Sequence, residues 1–201
     1  MSTQIIPTTE LQAVNIMLSA IGESPVNSIT STTNVDVSVA KNILNETSMS
    51  VQTMGWNFNT IYNKATTLDN NNKIPLASNT IQVDANITNF RYMNLTYRNG
   101  YLYDMDNDTD VFTIAPSVDI VTAEQFESLP EYARRYITTK AARRFAARFV
   151  GAGELVKMAE QDENEAYVAF QQADSRNADL NILENDTNTN NIINRTPRRT
   201  Y

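Results

Sequence analysis

Polar and apolar positions alternate at helical spacing in two segments near the N-terminus. In residues 8–22 one face carries Leu11, Val14, Leu18 and Ile21. In residues 34–54 one face carries Ala40, Leu44, Thr47, Val51 and Met54. Each segment stops at a glycine, Gly22 or Gly55, and starts at side chains that can accept hydrogen bonds from free amides. The pattern predicts two amphipathic helices, the first capped by Thr8 or Thr9 and the second by Asn34 or Asp36.

From Trp56 to about Ala123 the spacing changes, and short β-rich runs alternate with Gly, Pro and Asn. The runs cover residues 80–84, 91–97, 101–103 and 118–122. Asn99-Gly100 between two of them is the strongest short-range signal of a β-hairpin. This segment is therefore predicted to form a small antiparallel sheet. Trp56 and Phe58 at its start are interpreted as an anchor that holds the sheet against the helices.

Helical spacing returns at Pro130, which suits the first turn of a helix. Residues 130–150 place Ile137, Ala141, Phe145 and Phe149 inward. Residues 154–175 place Leu155, Ala159, Ala166, Ala169, Phe170 and Ala173 inward, after a break at Gly151 and Gly153. The fold is predicted to be α+β, a four-helix bundle with a small antiparallel β-sheet subdomain inserted between helices two and three. Its predicted units are a discontinuous bundle (8–55 and 124–176), a β-rich insertion (56–123) and an extended polar C-terminal tail (177–201).

Composition removes several classes of chemistry. The chain has 201 residues, is 41% hydrophobic and 19% charged, and contains no cysteine and no histidine. Disulfides, cysteine nucleophiles, thiolate zinc sites and histidine-dependent triads are thereby excluded, and no cofactor is expected. Apolar runs are too short to cross a bilayer, so no membrane insertion is expected. The first residues also lack the basic and apolar regions of a secretory signal.

Net charge bears on the class of partner. The formal charge is −7, from 16 Lys and Arg against 23 Asp and Glu. A protein that binds nucleic acid specifically normally carries the opposite sign, because neutralisation of phosphates supplies most of the affinity. Specific DNA binding is therefore not expected.

An acidic run, residues 104–110, places Asp104, Asp106, Asp108 and Asp110 at every second position. Such carboxylates can converge on calcium in a loop. An EF-hand would need Gly and Glu where Thr109 and Ala115 stand. A solvated acidic turn between strands is the favoured interpretation, and a calcium site is the alternative.

The third predicted helix carries a dense set of cations, and the fourth carries acids. The cations are Arg134, Arg135, Lys140, Arg143, Arg144 and Arg148, and the acids are Glu154, Glu160, Asp162, Glu163 and Glu165. One interpretation is a solvated face partly paired with helix four, each pair contributing little. The other is a contact with an acidic helix of another copy or partner. Neither a glycine-rich phosphate loop nor a GxSxG nucleophile motif is present, so an enzyme is not expected.

Four stretches resemble the tail tubular protein A family, the head-to-tail adaptors of short-tailed podovirus phages. The first is LQAVN (11–15) with AIGESPV (20–26), and the second is AKNILN (40–45) with GWNF (55–58). The third is NGYLYD (99–104), and the fourth is LPE (129–131) leading through ITTKA (137–141) to RFVG (148–151). They follow the family's order and span about residues 9–175.

The resemblance implies a non-enzymatic virion protein, assembled in the host bacterial cytoplasm and located in the tail. It implies a ring of twelve copies below the portal protein, joined to the nozzle protein (tail tubular protein B) and helping to dock tail fibres. DNA would pass through the lumen without specific binding, since an acidic ring repels phosphates.

Under this hypothesis three sets of residues are assigned to contacts. Lateral contacts between copies are assigned to Arg134, Arg135, Lys140, Arg144, Arg148, Glu160 and Glu163. Contacts with nozzle or fibre are assigned to Tyr92, Tyr101, Tyr103 and Asp104. Contacts with the portal, on which the tail would become ordered, are assigned to Ile192, Ile193 and Arg195. The alternative functions are a soluble α+β protein-binding module without a viral role and a hydrolase using calcium at residues 104–110.

Overall fold

The computed structural model describes residues 6–30, 34–86, 92–149 and 154–177. The helices are α1 (Glu10–Ser19), α2 (Val35–Gln52), α3 (Glu131–Phe149) and α4 (Glu154–Asn177). The strands are β1 (Thr60–Lys64), β2 (Thr80–Ala85), β3 (Leu95–Arg98), β4 (Tyr101–Asp104) and β5 (Val118–Thr122). Over these residues the class is α+β with four α-helices, as predicted, and the strands pair antiparallel.

The helix starts follow from side-chain capping. Thr9 Oγ1 accepts a hydrogen bond from Gln12 N at 3.2 Å, and Gln12 Oε1 accepts one from Thr9 N at 3.0 Å, which is a capping box. Asn34 Oδ1 accepts from Asp36 N at 2.8 Å at the start of α2. Of the alternative caps, the structure therefore selects Thr9 and Asn34.

Helix α3 lies at the centre of the helical part, because α1, α2 and α4 each pack on it. Its Ile137, Ala141 and Phe145 are fully buried, as predicted. Tyr136 stacks on Phe170 of α4 with ring centroids 5.1 Å apart, and Arg143, two turns later, meets Glu163. Residue numbers rise on α3 as they fall on α4, so the two helices run antiparallel.

Three predicted inward positions are exposed in the structure. Met54 is 68% exposed because α2 ends at Gln52, two residues before it. Phe149, the last residue of α3, is 44% exposed. Ala169 is also exposed, because α4 packs through the narrow stripe of Ala166, Phe170 and Asp174. The predicted inward side chain of Leu155 lies outside the described residues.

The β-rich segment forms two sheets rather than the single sheet predicted. Strand β5 is central in a three-stranded antiparallel sheet of order β1-β5-β2, and β3 and β4 form a separate hairpin. Strand β1 was missed because four of its five residues are exposed and show no alternation. A cluster of seven buried apolar residues packs the two sheets together: Ile74, Val83, Leu95, Leu102, Phe112, Val118 and Ile120.

The hairpin turn forms where the sequence predicted it. Asn99 and Gly100 have φ values of 53° and 87°, and Arg98 faces Tyr101 across the turn. Positive φ at both central residues defines a type I′ turn, whose twist matches that of the strands. The predicted strand 91–97 is shorter in the structure, where β3 begins at Leu95, and Arg91 lies outside the described residues.

Two buried side-chain amides join α2 to the three-stranded sheet. Gln52 donates to Ser48 Oγ and to the Glu124 carbonyl, both at 3.0 Å, and accepts from Glu124 N at 2.6 Å. Asn59 Nδ2 donates to the carbonyls of Gln52 and Thr122, each at 2.9 Å. Both residues are 2% exposed, so water cannot reach this junction. Their side-chain amides therefore satisfy backbone groups that would otherwise lack a hydrogen-bond partner.

Trp56 anchors the same junction, as predicted. Its indole Nε1 donates to the Val51 carbonyl at 2.8 Å, and its ring meets Phe170 edge-on with centroids 4.3 Å apart. The ring centroids of Phe58 and Phe170 are 6.3 Å apart. Gly55, just before Trp56, has φ +69°, and a Cβ there would come within 3.3 Å of Val121 Cγ2. The chain therefore turns tightly between α2 and the sheet.

Asn59→Ala is expected to lower the free energy of unfolding by about 2 kcal/mol, because two buried carbonyls and the Trp56 amide that bonds Asn59 Oδ1 lose their partner. Urea unfolding followed by circular dichroism measures the change. Asn45→Ala, at an exposed position of α2, is the control and should shift stability by less than about 0.5 kcal/mol. Equal stability of the two variants would contradict the role assigned to Asn59.

Candidate interaction surfaces

Arg134, the first of the predicted contact cations, is bound within the chain. Its Nε donates to the Leu129 carbonyl at 2.7 Å and Nη1 to the Thr8 carbonyl at 2.9 Å, while Nη2 donates to the Glu127 carbonyl. Thr8 is held a second time, since its N–H and hydroxyl donate to the carboxylate of Glu131 at 2.7 and 2.6 Å. Arg134 thus fastens the segment before α1 to the start of α3.

Arg143 and Glu163 form the contact between α3 and α4 that the sequence suggested. Arg143 Nε donates to Glu163 Oε2, and the side chains are 33% and 14% exposed. The hydrogen bond to Glu163 raises the pKa of the Arg143 guanidinium, and the nearby charge of Glu160 acts in the same direction. Glu160 itself is exposed on α4. One predicted acid therefore holds the two helices together, and the other faces solvent.

Arg144 and Arg148 lie on the side of α3 that faces α2. Arg144 Nη1 donates to Thr47 Oγ1 at 3.0 Å, and Arg148 Nη2 lies 3.7 Å from Glu46 Oε2. Arg148 and Glu46 are 53% and 58% exposed, so their pairing contributes little. We call Arg144, Arg148 and the adjacent Phe149 the basic edge. Lys140, also assigned to contacts, lies with Nζ 3.1 Å from the Tyr136 hydroxyl.

A groove of about 770 Å³ lies between α3 and α4, away from the basic edge. Its lining includes Arg135 and Tyr132 from α3 and Asp162, Glu165, Ala169 and Phe170 from α4. Arg135, Asp162 and Glu165 are exposed. Within the described part of the chain, no hydrogen bond or ion pair engages the carboxylates of Asp162 and Glu165. We call this feature the α3–α4 groove.

The acidic run that begins at the last residue of β4 forms a turn, as the sequence favoured, but its first carboxylate, Asp104, is buried rather than solvated. Asp104 accepts hydrogen bonds from Asp106 N at 2.9 Å, Asn107 N at 3.1 Å and Asn107 Nδ2 at 2.8 Å. Asp108 accepts from the Tyr103 hydroxyl at 2.5 Å. Among the described residues, no group of three or more acidic side chains is placed to hold a metal ion. The carboxylates bind separate protein groups, which leaves the calcium hypothesis without support.

The same bonds shift two pKa values. The hydrogen bond from the Asn107 side chain, followed by backbone donors, lowers the pKa of Asp104. The hydrogen bond to Asp108 raises the pKa of Tyr103, because the phenol must keep its proton to donate. Arg98 lies over the Tyr103 ring, 4.0 Å from its centroid.

The other predicted contact residues of the β-rich segment are spread out. Lys73 Nζ lies 5.6 Å from the centroid of the Tyr101 ring and 2.5 Å from Asp110 Oδ2. Tyr92 is 87% exposed, before β3. Tyr101 and Tyr103 lie on one face of strand β4, whereas Asp104 lies on its opposite, buried face and is 5% exposed. Ile192, Ile193 and Arg195 lie outside the described residues.

Sequence reasoning missed the buried carboxylate of Asp174. It is 4% exposed and accepts from Asn57 N at 3.1 Å and Asn57 Nδ2 at 2.9 Å, joining α4 to the turn before β1. The Tyr132 hydroxyl lies 3.4 Å from it, and burial raises the pKa of Tyr132. Its spacing of four from Phe170 and eight from Ala166, both buried, was a signal that could have found it.

Residues 11–180 match the family model described as tail tubular protein, from the first turn of α1 past the end of α4. The chain belongs to the tail tubular protein family. Comparison with individual curated proteins gives no match. The family is one of structural, generally non-enzymatic proteins of phage tails, so the chain is a virion tail component of an oligomeric assembly. No helix among the described residues is both long and apolar enough to cross a membrane.

The lowered pKa of Asp104 predicts how stability depends on pH. A carboxyl whose pKa is lower in the folded state stabilises the fold above its ordinary pKa of about 3.9, and this contribution disappears as pH falls through the folded value. Asp104→Asn should therefore be less stable than wild type at pH 6. The difference in free energy of unfolding between the two proteins should shrink below about pH 4. Urea midpoints measured from pH 6 to pH 3 give the comparison.

Asp106→Asn is the matched control, since Asp106 is exposed in the same turn. At pH 6 it should shift stability by less than about 0.5 kcal/mol, because it removes an exposed charge. A gap for Asp104→Asn that stays constant over the whole pH range would contradict the assignment.

Proposed function

We propose that the chain is a subunit of a head-to-tail adaptor ring of twelve copies that joins the portal protein to the nozzle protein and helps to dock tail fibres. Membership of the tail tubular family supports a structural tail role, and the proposal extends it to this position. The observation that carries the proposal is the separation of charge around α3. The basic edge lies on the α2 side and the acidic rim of Asp162 and Glu165 lies on the α4 side.

Separated surfaces of opposite charge suit a ring. In a heterologous interface each copy presents one face to one neighbour and a different face to the other, and such contacts close into a ring when the rotation allows. A net charge of −7 makes copies repel one another, so local attraction between a basic and an acidic face would offset that repulsion. The same acidity would let DNA pass through the lumen without binding.

The parts of the chain receive separate roles in this proposal. The helical unit, 8–55 with 124–176, is a bundle that carries the lateral contacts, and the β-rich unit, 56–123, projects from it. Separate apolar clusters in the two parts support that division. Tyr92 and the β4 residues Tyr101 and Tyr103 face nozzle or fibre, whereas Asp104 is 5% exposed and supports the turn beside them. The tail, 177–201, contacts the portal, and the chain performs no catalysis.

Among the predicted lateral residues, the contacts favour some over others. Arg134 binds three carbonyls of its own chain, and Glu163 binds Arg143. Removing either would disturb the subunit itself. Arg148 is half exposed and weakly paired, so it is available to a neighbour. Assembly is therefore tested at the basic edge.

Co-expression of the full chain with its cognate portal protein should give one large symmetric complex, measured by multi-angle light scattering. Arg144→Glu combined with Arg148→Glu should leave the subunit folded by circular dichroism and reduce its share of the complex about tenfold, since like charges would then meet across the interface. Lys64→Glu, at an exposed position of β1, is the matched control and should assemble as wild type.

Two outcomes would contradict the proposal in different ways. Normal assembly of the double variant would remove the lateral role of the basic edge. A wild-type chain that remains separate from the portal would remove the adaptor role and favour the alternative, a soluble protein-binding module.

A further inference from the structure

Two positions that the sequence pattern places in the core are exposed in the subunit. Phe149 is 44% exposed at the end of α3, beside the half-exposed Arg148. Ala169 is exposed in the α3–α4 groove. Phenylalanine and arginine are typical anchors of protein interfaces, where they fill pockets that become fully desolvated. The apolar pattern of the sequence thus includes residues that the single subunit leaves exposed. A second copy that covers Phe149 and Ala169 would account for them.

The groove offers what these anchors need. Its accessible apolar lining includes Ala169 and Ala173 above the fully buried Phe170, and Asp162 and Glu165 stand at one end. The contacts Tyr136–Phe170 and Arg143–Glu163 set the antiparallel register of α3 and α4. In this register Arg135 lies level with Gln171, which is six residues, or about 9 Å along the helix axis, from Glu165. The end that carries Asp162 and Glu165 is therefore acidic, and the cation lies towards the other end.

We infer that the α3–α4 groove of one copy receives the Arg148 and Phe149 end of α3 from the next copy. Phe149 packs on the apolar lining near Ala169, and Arg148 pairs with Asp162 and Glu165. The charges are complementary, and the two surfaces lie on different sides of α3, as a head-to-tail contact requires. This inference rests on the proposed ring and names the surfaces that close it.

A cysteine cross-link tests the contact directly, because the natural chain contains no cysteine. Phe149→Cys with Ala169→Cys should give a ladder of disulfide-linked oligomers when the portal-bound full chain is oxidised and run on a non-reducing gel. Within one copy the register places Phe149 level with Lys157, about 18 Å along the axis from Ala169. A disulfide joins Cα atoms less than about 7 Å apart, so no bond within one copy can form.

The single variants Phe149→Cys and Ala169→Cys are the controls, and neither should produce a ladder. A double variant that binds the portal at wild-type stoichiometry yet remains monomeric on the gel would overturn the inference and leave the adaptor role standing. Failure of the wild-type chain to form any ring would overturn both.

A charge exchange gives an independent test. Arg148→Glu alone should repel the acidic groove of its neighbour, and Asp162→Lys with Glu165→Lys should repel the neighbour's basic edge. Each variant alone should form about tenfold less ring on the portal than wild type. A one-to-one mixture should restore assembly, because in an alternating ring every interface again joins opposite charges.

Lys64→Glu and Glu23→Lys, at exposed positions away from both surfaces, are the control variants. Each should assemble alone, and so should a mixture of the two. Circular dichroism of each variant confirms that the subunit is folded. Folded variants that stay unassembled after mixing, or that assemble normally alone, would overturn the pairing of Arg148 with the groove.

Discussion

The structure depends on the hydrogen bonds that Gln52 and Asn59 make where the helices meet the sheet. At this junction α2 ends, β5 ends and β1 begins, so backbone groups without a ladder partner lie inside the protein. The two amides bind the Thr122 carbonyl and both backbone groups of Glu124. A buried polar group without a partner costs about 1–3 kcal/mol, so removing either side chain would weaken the junction. Surfaces on the two parts therefore keep a fixed relation, as a structural tail protein requires.

How much of the fold the sequence predicts depends on how local the signal is. The four helices follow from apolar spacing, the caps from Thr9 and Asn34, and the hairpin from Asn99-Gly100, because each is decided by neighbours along the chain. Strand β1 carries no such signal, since it is defined by pairing with β5 far along the sequence. The split into two sheets, and the partners of Asp174, likewise depend on contacts between distant segments.

The cations of α3 illustrate the same limit at the candidate surfaces. From the sequence they form one basic set, yet the fold divides them by direction around a central helix. Arg134 points to the segment before α1, Arg143 to α4, and Arg144 and Arg148 to α2. Sequence spacing gives the angle of each residue around the helix but does not say which helix packs there. Only the packing separates cations that stabilise the subunit from those that face outward.

In the proposed ring, this division lets one helix serve both the fold and the assembly. A central helix must bury most of its surface, so cations that remain on it either bind inside the chain or extend past its neighbours. Arg134 and Arg143 bind inside, whereas Arg148 and Phe149 lie where α3 ends and remain exposed. Substitutions a few residues apart on α3 should thus fall into two kinds, those that weaken folding and those that leave a folded subunit unable to join its neighbours. The geometry of the basic edge follows from where α3 stops, so in the proposed ring the end of this helix belongs to the contact between copies as well as to the subunit.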